Sequence, residues 1–212
     1  VLYKAAHAIR LAQELSDAGT ECVPIFWVAS EDHDVDEINL FASLDDKGRY
    51  NSQRLSSLPS ATRHPLDKVA LPEPTSKEVS KLIELLLDGD ARQEAEELVT
   101  LSLGTDCGRG MARLLTRVFA RQGLVVLEPR LLRDLQGFKT IAANEIRDSC
   151  DHQMIVENSL AHIRDQGFGL PLQASPHLNL FYIHRGERRH IQRISKGFAI
   201  DGMSKRKTKQ EL

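Results

Sequence analysis

Residues 22–34 read Cys22-Val-Pro-Ile-Phe-Trp-Val-Ala-Ser-Glu-Asp-His-Asp34, and this stretch decides the fold. Residues 22–29 are a nearly continuous apolar run with β-branched and aromatic side chains. Such a run is typical of a strand buried on both faces of a parallel sheet. The sequence then changes abruptly to charged residues. We therefore predict a core strand over 22–29 whose carboxyl end carries several acids around one histidine.

The segments around this strand favour an α/β fold. Apolar residues at helical spacing predict a helix over residues 2–18 that ends at Gly19, a residue suited to the left-handed conformation of a helix end. Residues 124–127 form a second short apolar run, closed by Pro129. Since a helical pattern precedes each run, we expect both strands to join one mostly parallel sheet with flanking helices.

The rest of the chain predicts an insertion and a terminal β-meander. Residues 57–105 begin with prolines among Ser, Thr and His and continue with helical patterns, which indicates a surface crossing followed by helices. Residues 178–200 change to strand periodicity interrupted by Gly186 and Gly197, which predicts an antiparallel meander. The other expected elements are a hairpin over 41–55 and helices over 76–87, 91–103, 106–123 and 131–165.

The composition indicates a globular domain with small-molecule partners. A chain of 212 residues with 41% hydrophobic and 27% charged side chains can build a sizeable core, so we do not expect disorder. The net charge of -2 gives no electrostatic reason to bind nucleic acid or an anionic membrane. The three cysteines are far apart and form no CxxC pair, which favours a reducing cytoplasm over a disulfide framework.

The acidic stretch Glu31-Asp-His-Asp34 is the part of the sequence that carries chemistry, because open α/β sheets bind ligands at the carboxyl ends of their strands. His33 is a candidate general acid or base, with Asp32 or Asp34 orienting its ring. Two other interpretations remain open: a solvated loop that is merely acidic, and a metal site made by His33 and nearby acids. We rank the metal site below direct catalysis, because adjacent residues seldom all point at one ion.

A glycine-rich segment, Leu103-Gly-Thr-Asp-Cys-Gly-Arg-Gly110, resembles a phosphate-binding loop. No strand leads into it and no Lys-Ser/Thr pair follows, so a capped helix start at Thr105 or Asp106 is the favoured interpretation. Cys107 lies in this segment without a histidine nearby in sequence. We therefore expect a structural role for its thiol.

Residues 23–39, Val23-Pro-Ile-Phe-Trp-Val-Ala-Ser-Glu-Asp-His-Asp-Val-Asp-Glu-Ile-Asn39, resemble the signature of the bacillithiol-biosynthesis cysteine-adding enzymes. Members of that family carry a P-x-F-W-x-A-x-E-D-H-D-x-D-E-x-N stretch. Weaker agreement occurs in order at Leu2-Tyr3-Lys4, Gly123-Leu-Val-Val-Leu127, Asn179-Leu-Phe-Tyr182 and Thr208-Lys-Gln-Glu-Leu212. The resemblance therefore spans the whole chain.

The resemblance implies a Rossmann-like core with connecting insertions, and a ligase that joins cysteine to glucosaminyl malate in bacillithiol biosynthesis. It also implies a homodimer formed through a coiled-coil domain. The cofactor is left unknown, since ATP is expected only because amide formation requires energy. In this interpretation the catalytic residues are Glu31, Asp32, His33 and Asp34, and the substrate-binding residues are Trp27, Asp36, Glu37 and Asn39.

The two ends of the chain lead us to expect a fragment. Val1 is followed directly by helical periodicity, and Thr208-Lys-Gln-Glu211 has capping-box spacing with only Leu212 after it. Relative to the family pattern, an upstream glycine-rich loop, the rest of the core and the coiled coil are absent, so we expect this fragment alone to be inactive. Two alternatives stay open: a metal-dependent hydrolase that uses the acidic cluster, and a non-catalytic degenerate fragment or binding module.

Overall fold

Helices and short strands alternate along the chain, as the apolar periodicity predicts. The structure is a computed structural model that describes residues 1–44, 47–60, 62–86, 89–170 and 175–212. The elements up to residue 131 are α1 (Leu2–Asp17), β1 (Ile25–Trp27), α2 (Val35–Ile38), β2 (Leu40–Leu44), β3 (Tyr50–Arg54), α3 (Glu73–Leu86), α4 (Gly89–Ser102), α5 (Cys107–Phe119) and β4 (Val125–Leu127). The later elements are α6 (Gln136–Asp165), β5 (His177–His184), β6 (Glu187–Ile194) and β7 (Gly197–Ile200). They form two units, residues 1–131 and 132–212.

In the first unit β1 and β4 pair in parallel, with Phe26 beside Val126 at the centre of the register. The prediction that the two apolar runs join one parallel sheet is therefore confirmed. Helices α1 and α5 pack on one face of this sheet, where Phe26 and Val126 contact a buried cluster that includes Ala5 and Leu115. Because apolar burial is the main favourable term of folding, this cluster fixes both helices on the sheet.

The opposite face of this sheet is open. Ile25 and Trp27 leave 56% and 50% of their surface exposed. The expectation of a strand over 22–29 buried on both faces is therefore wrong for the described chain, in which β1 is three residues long. A parallel strand is buried on both faces only where layers pack on both sides, and here α1 and α5 lie on the same side.

The proline-rich segment predicted as a surface crossing contributes to a core instead. Pro65 is fully buried, and Val69 belongs to a second apolar cluster with Val35 and Cys107. A short 3-10 helix, Leu66–Lys68, lies between them in sequence. Proline opposes regular hydrogen-bonded structure but does not oppose burial. The high proline content of this segment therefore did not mean that it is exposed.

The hairpin prediction is confirmed, because β2 and β3 pair antiparallel with Leu40 opposite Arg54. Gly48 in the connection has a φ of +74°, a conformation that glycine adopts without strain. Asp45 and Asp46, assigned to the same loop, lie outside the described residues. Helices α3, α4 and α5 begin within a few residues of the three predicted positions.

The second unit contains α6 and the predicted meander, in which β6 pairs antiparallel with both β5 and β7. Leu178, Ile191 and Phe198 form its buried core, and Ile146 of α6 packs against them. Neither α6 nor any other helix in the described residues is long and apolar enough to cross a membrane.

A buried carboxylate links α6 to the meander. Glu145 accepts a hydrogen bond from the Asn179 N–H (2.8 Å), and its second oxygen lies 2.5 Å from His152 Nδ1. Burial by itself would raise the pKa of Glu145, but the hydrogen bonds from Asn179 and His152 lower the pKa overall. The charged form of Glu145 is therefore stabilised in the folded unit.

Candidate functional site

Three parts of the first unit meet at the carboxyl edge of the parallel sheet. Ser30 follows β1, Glu128 follows β4, and the first turn of α5 packs beside them. Gly108 in that turn is so close that a Cβ on it would lie 2.5 Å from Ser30 Cβ. Pairing extends past β1, since the Val28 N–H donates to Leu127 O (3.0 Å). This is the edge at which open α/β sheets bind ligands.

The acidic stretch after β1 is held in place by backbone hydrogen bonds from a later segment. The Asp67 N–H donates to Ser30 O (2.9 Å), and the Leu66 N–H donates to Asp32 O (2.7 Å). Both donors belong to the buried proline-rich region rather than to the sheet. The loop conformation at the strand end is therefore fixed by tertiary contacts.

His33 is positioned by its neighbour Asp32. The His33 N–H donates to Asp32 Oδ1 (2.8 Å), and the ring Nδ1 lies 3.4 Å from the same oxygen. That separation is longer than a typical hydrogen bond but within ion-pair range. The ring is partly exposed, whereas its Nδ1 atom is shielded from solvent. Nδ1 is therefore closed to a ligand, which leaves Nε2 as the ring nitrogen that a ligand can contact.

A cavity of about 590 Å³ lies beside this edge. Asp32, Asp34 and Glu37 supply its carboxylates, and Trp27 and Ser30 also line it. Most other lining side chains are apolar, among them Leu55, Leu58, Leu66, Leu71, Val79 and Met111. An apolar cavity of this size with a few polar groups along one wall is typical of a small-molecule site.

The other predicted site residues, Glu31, His33, Asp36 and Asn39, do not line this cavity. Two of them contact Arg54 of β3, whose Nη1 donates to Asp36 Oδ1 (2.9 Å) and to Asn39 Oδ1 (2.7 Å). Asn39 is buried in this arrangement. Asp36 and Asn39 thus anchor the hairpin to the acidic stretch.

The glycine-rich segment is a capped helix start, as predicted. Asp106 is the N-cap of α5, and its Oδ1 accepts a hydrogen bond from the Arg109 N–H (2.8 Å). A Cβ on Gly110 would lie 2.7 Å from Leu71 Cδ1, and Gly108 is as tightly packed against the chain leaving β1. Gly108 and Gly110 therefore serve close packing of the helix start.

Cys107 lines the cavity but is a poor nucleophile. Burial, helped by the nearby charge of Asp106, raises the pKa of the Cys107 thiol to about 11. A thiol with that pKa stays protonated at neutral pH, and the thiolate is the reactive form. The buried thiol packs with Val35 and Val69 instead.

Four charged side chains meet at the same edge, of which the sequence predicted only Asp106, and that as a helix cap rather than as part of a site. Arg130 contacts both Asp106 Oδ2 (2.9 Å) and Glu128 Oε2, and Glu128 Oε1 lies 3.0 Å from Arg109 Nε. A signal for Glu128 was present, because it directly follows the second predicted strand. The rule that selected the acids after β1 applies equally to this residue.

Comparison with known proteins places the chain in a family. The whole chain, residues 1–212, matches the family model described as "Bacillithiol biosynthesis BshC, N-terminal Rossmann-like domain". It is 29% identical to a "Putative cysteine ligase BshC" of Solibacter usitatus, over 100% of this chain and 40% of that protein. The proteins of the same name in Heliobacterium modesticaldum and Koribacter versatilis are 28% and 32% identical, over 100% and 99% of this chain. The chain spans about 40% of the length of these relatives.

Proposed function

Because this chain belongs to the BshC family, whose N-terminal Rossmann-like domain it matches, we propose that it is part of a ligase joining cysteine to glucosaminyl malate. The observation that carries the proposal is the carboxylate-lined cavity at the end of β1. The stretch that builds this wall is the one that resembles the family signature. The relatives contain further sequence, and we propose that turnover depends on it, so that this chain alone is inactive.

The cavity is suited to the polar part of an amino sugar. Ionised carboxylates accept hydrogen bonds from hydroxyl and ammonium groups, and bonds to a charged acceptor are the stronger ones. Asp32, Asp34 and Glu37 present such acceptors on one wall. Apolar side chains make up most of the remaining lining and can pack against the carbon skeleton of the bound molecule. We therefore assign glucosaminyl malate to this cavity, with Trp27 packing against it.

Amide formation requires an activated carboxyl group and removal of a proton from the attacking amine. We propose His33, which lies between the cavity-lining residues Asp32 and Asp34 without lining the cavity itself, as the base that removes this proton. Asp32 lines the cavity and also lies 3.4 Å from His33 Nδ1, so it orients the ring while Nε2 accepts the proton. Glu31 and Asp34 complete the proposed catalytic group. Activation of the cysteine carboxyl group, for which ATP is expected on energetic grounds, is assigned to none of the described residues.

Turnover tests this assignment in a chimaera, the Solibacter usitatus relative with its matching segment replaced by this chain. Mass spectrometry follows the cysteinyl amide formed from cysteine, glucosaminyl malate and ATP. His33→Ala is expected to lower turnover by a factor of about 10² to 10⁴, the usual range for general acid–base catalysis. Asp32→Asn is expected to change turnover in the same direction.

The matched control is His7→Ala, since His7 is exposed on α1. This variant is expected to ligate at the wild-type rate. If His33→Ala, with its fold verified by circular dichroism, also ligates at the wild-type rate, the acidic stretch is structural and the site assignment fails.

The other expected functions have no specific observation in their favour. Within the ranges that the structure describes, no three His, Cys, Asp or Glu side chains are placed to share a metal ion. A metal-dependent hydrolase therefore has no ligand set in that part of the chain.

We propose a cytoplasmic location, because Cys22, Cys107 and Cys150 are free and a reducing compartment keeps thiols unpaired. Dimerisation through a coiled coil stays a prediction.

A further inference from the structure

Four charged side chains near the cavity contact one another in a ring, through two hydrogen bonds and two ion pairs. Arg130 Nη1 donates to Asp106 Oδ2 (2.9 Å), while its Nη2 contacts Glu128 Oε2. Glu128 Oε1 in turn lies 3.0 Å from Arg109 Nε. The ring closes through Asp106 Oδ1, which accepts from the Arg109 N–H (2.8 Å). Two cations and two anions thus balance each other, and we call them the charge ring.

The charge ring is more buried than its stability value would explain. The Glu128 side chain is 8% exposed and those of Arg130 and Asp106 are 20% exposed, whereas Arg109 is the exposed member of the ring at 42%. Removing charges from water costs free energy that their attraction only partly restores, so apolar side chains of similar volume would often give equal stability. A role in fixing local geometry therefore accounts for these buried charges better than stability alone.

The charge ring connects a helix start to a strand end. Asp106 caps α5, and Glu128 directly follows β4. Glu128 and Arg109 line a separate groove, whereas Cys107 and Gly108, from the same first turn, line the 590 Å³ cavity. The ring therefore holds one side of a helical turn whose other side forms a wall of the substrate cavity.

We propose that Asp106, Glu128 and Arg130 are positioning residues, which fix the first turn of α5 so that the cavity has the shape its substrate needs. The role requires an arginine at residue 130, because its planar group bridges two carboxylates at once and lysine presents only a point charge. The inference rests on the proposed function only for the identity of the substrate. The immobility of the turn does not depend on that identity.

Hydrogen exchange measures this immobility directly in the whole chain. The N–H groups of Cys107, Arg109 and Gly110 donate to Val69 O (2.8 Å), Asp106 Oδ1 (2.8 Å) and Asp106 O (2.9 Å), so all three are protected in the folded state. In Arg130→Lys we expect these amides to exchange about tenfold faster through local opening. Leu115, fully buried further along α5, is expected to keep its wild-type exchange rate.

Two further variants separate positioning from general stabilisation. Asp106→Asn keeps a good N-cap but removes the charge facing Arg130, so it should accelerate exchange less than Arg130→Lys. Arg92→Lys is the matched control, because Arg92 also bridges two carboxylates, Glu84 (2.6 Å) and Glu96 (3.0 Å), but on the exposed surface. This control is expected to leave exchange in the first turn of α5 unchanged.

Calorimetric binding of glucosaminyl malate provides the functional readout. We expect Arg130→Lys to weaken the Kd about tenfold. An unchanged exchange rate at Leu115 would show that the perturbation is confined to the first turn of α5. Unchanged exchange at Cys107 and Gly110, or equal acceleration at Leu115, would overturn the positioning role. If the wild-type chain does not bind glucosaminyl malate, the proposed function fails, and the exchange result still decides the role of the charge ring.

Discussion

Gly108→Ala tests how tightly the first turn of α5 packs against the chain that leaves β1. The added Cβ would lie 2.5 Å from Ser30 Cβ and 3.2 Å from Asp106 Oδ1. Contacting carbon atoms prefer a separation of about 3.5–4.0 Å, so the overlap with Ser30 is about 1 Å. Ser30 is 1% exposed and cannot turn outward. The substitution must therefore move α5 or the chain leaving β1.

The expected loss follows from two opposing terms. Overpacking a buried site costs about 1–3 kcal/mol, whereas Ala gains up to about 1 kcal/mol over Gly in a helix. We expect Gly108→Ala to lower the free energy of unfolding by about 1–2 kcal/mol. Gly137→Ala is the matched control, since a Cβ on this helical glycine of α6 would meet nothing within 4 Å. It should be neutral or stabilising.

Urea unfolding followed by the fluorescence of Trp27, the single tryptophan, measures this loss in the first unit. Ser30→Gly removes the side chain that clashes, so the Ser30→Gly, Gly108→Ala double variant should recover about 1 kcal/mol relative to the sum of the single changes. If Gly108→Ala is as stable as the wild type, or the two changes are additive, the contact between Ser30 and α5 is looser than inferred.

Three other outcomes follow from burial and pKa. Replacing fully buried Leu115 by Ala should cost about 2–5 kcal/mol in the free energy of unfolding, measured by urea titration. The pKa of Glu145 is lowered in the folded state below that of an ordinary glutamate. Its charged form therefore contributes stability that is fully present above the ordinary pKa and is lost as pH falls through the lowered one. The stability difference between wild type and Glu145→Gln should therefore shrink below pH 4.5, and a constant difference from pH 7 to 3 would contradict the assignment. The Cys107 thiol is buried and has a pKa of about 11, so it should resist a thiol reagent at pH 8 under conditions that modify exposed Cys150. Peptide mapping that finds Cys107 modified first would refute this.

Elements governed by local signals were predicted well from the sequence. Asp106 caps α5 because its side chain reaches an amide three residues later, and this is visible as a short spacing. The meander follows from period-two alternation and from Gly186 and Gly197, both of which have positive φ in the structure. Such features depend on residues close together in sequence, so one chain is enough to reveal them.

Features that depend on distant contacts were not predictable in this way. The open face of Ile25 and Trp27 is set by where α1 and α5 pack, which the apolar run itself does not encode. Asp36 was assigned to substrate binding, but it contacts Arg54, eighteen residues later in the sequence. Local spacing identifies the residue types at a site but not the partners that distant segments supply.

The charge ring illustrates the same limit within the site. Arg130 and Asp106 are 24 residues apart in sequence, and the packing of α5 against the sheet brings them to one edge. The rule that ligands bind at the carboxyl ends of core strands could have selected Glu128 from the sequence. No such local rule selects its partners Arg109 and Arg130. The carboxylates of the candidate site were thus predictable as a class, and their positioning contacts were not.

The most direct test of the central claim is a calorimetric titration of glucosaminyl malate into this chain and into Asp34→Asn. Asp34 is exposed on the polar wall of the cavity, so the change removes a carboxylate with little effect on packing. We expect saturable binding to the wild type and about tenfold weaker binding to Asp34→Asn, because a charge-assisted hydrogen bond is lost. Binding to the exposed control Asp151→Asn should be unchanged. Equal affinity for wild type and Asp34→Asn, or no binding to the wild type, would contradict the central claim.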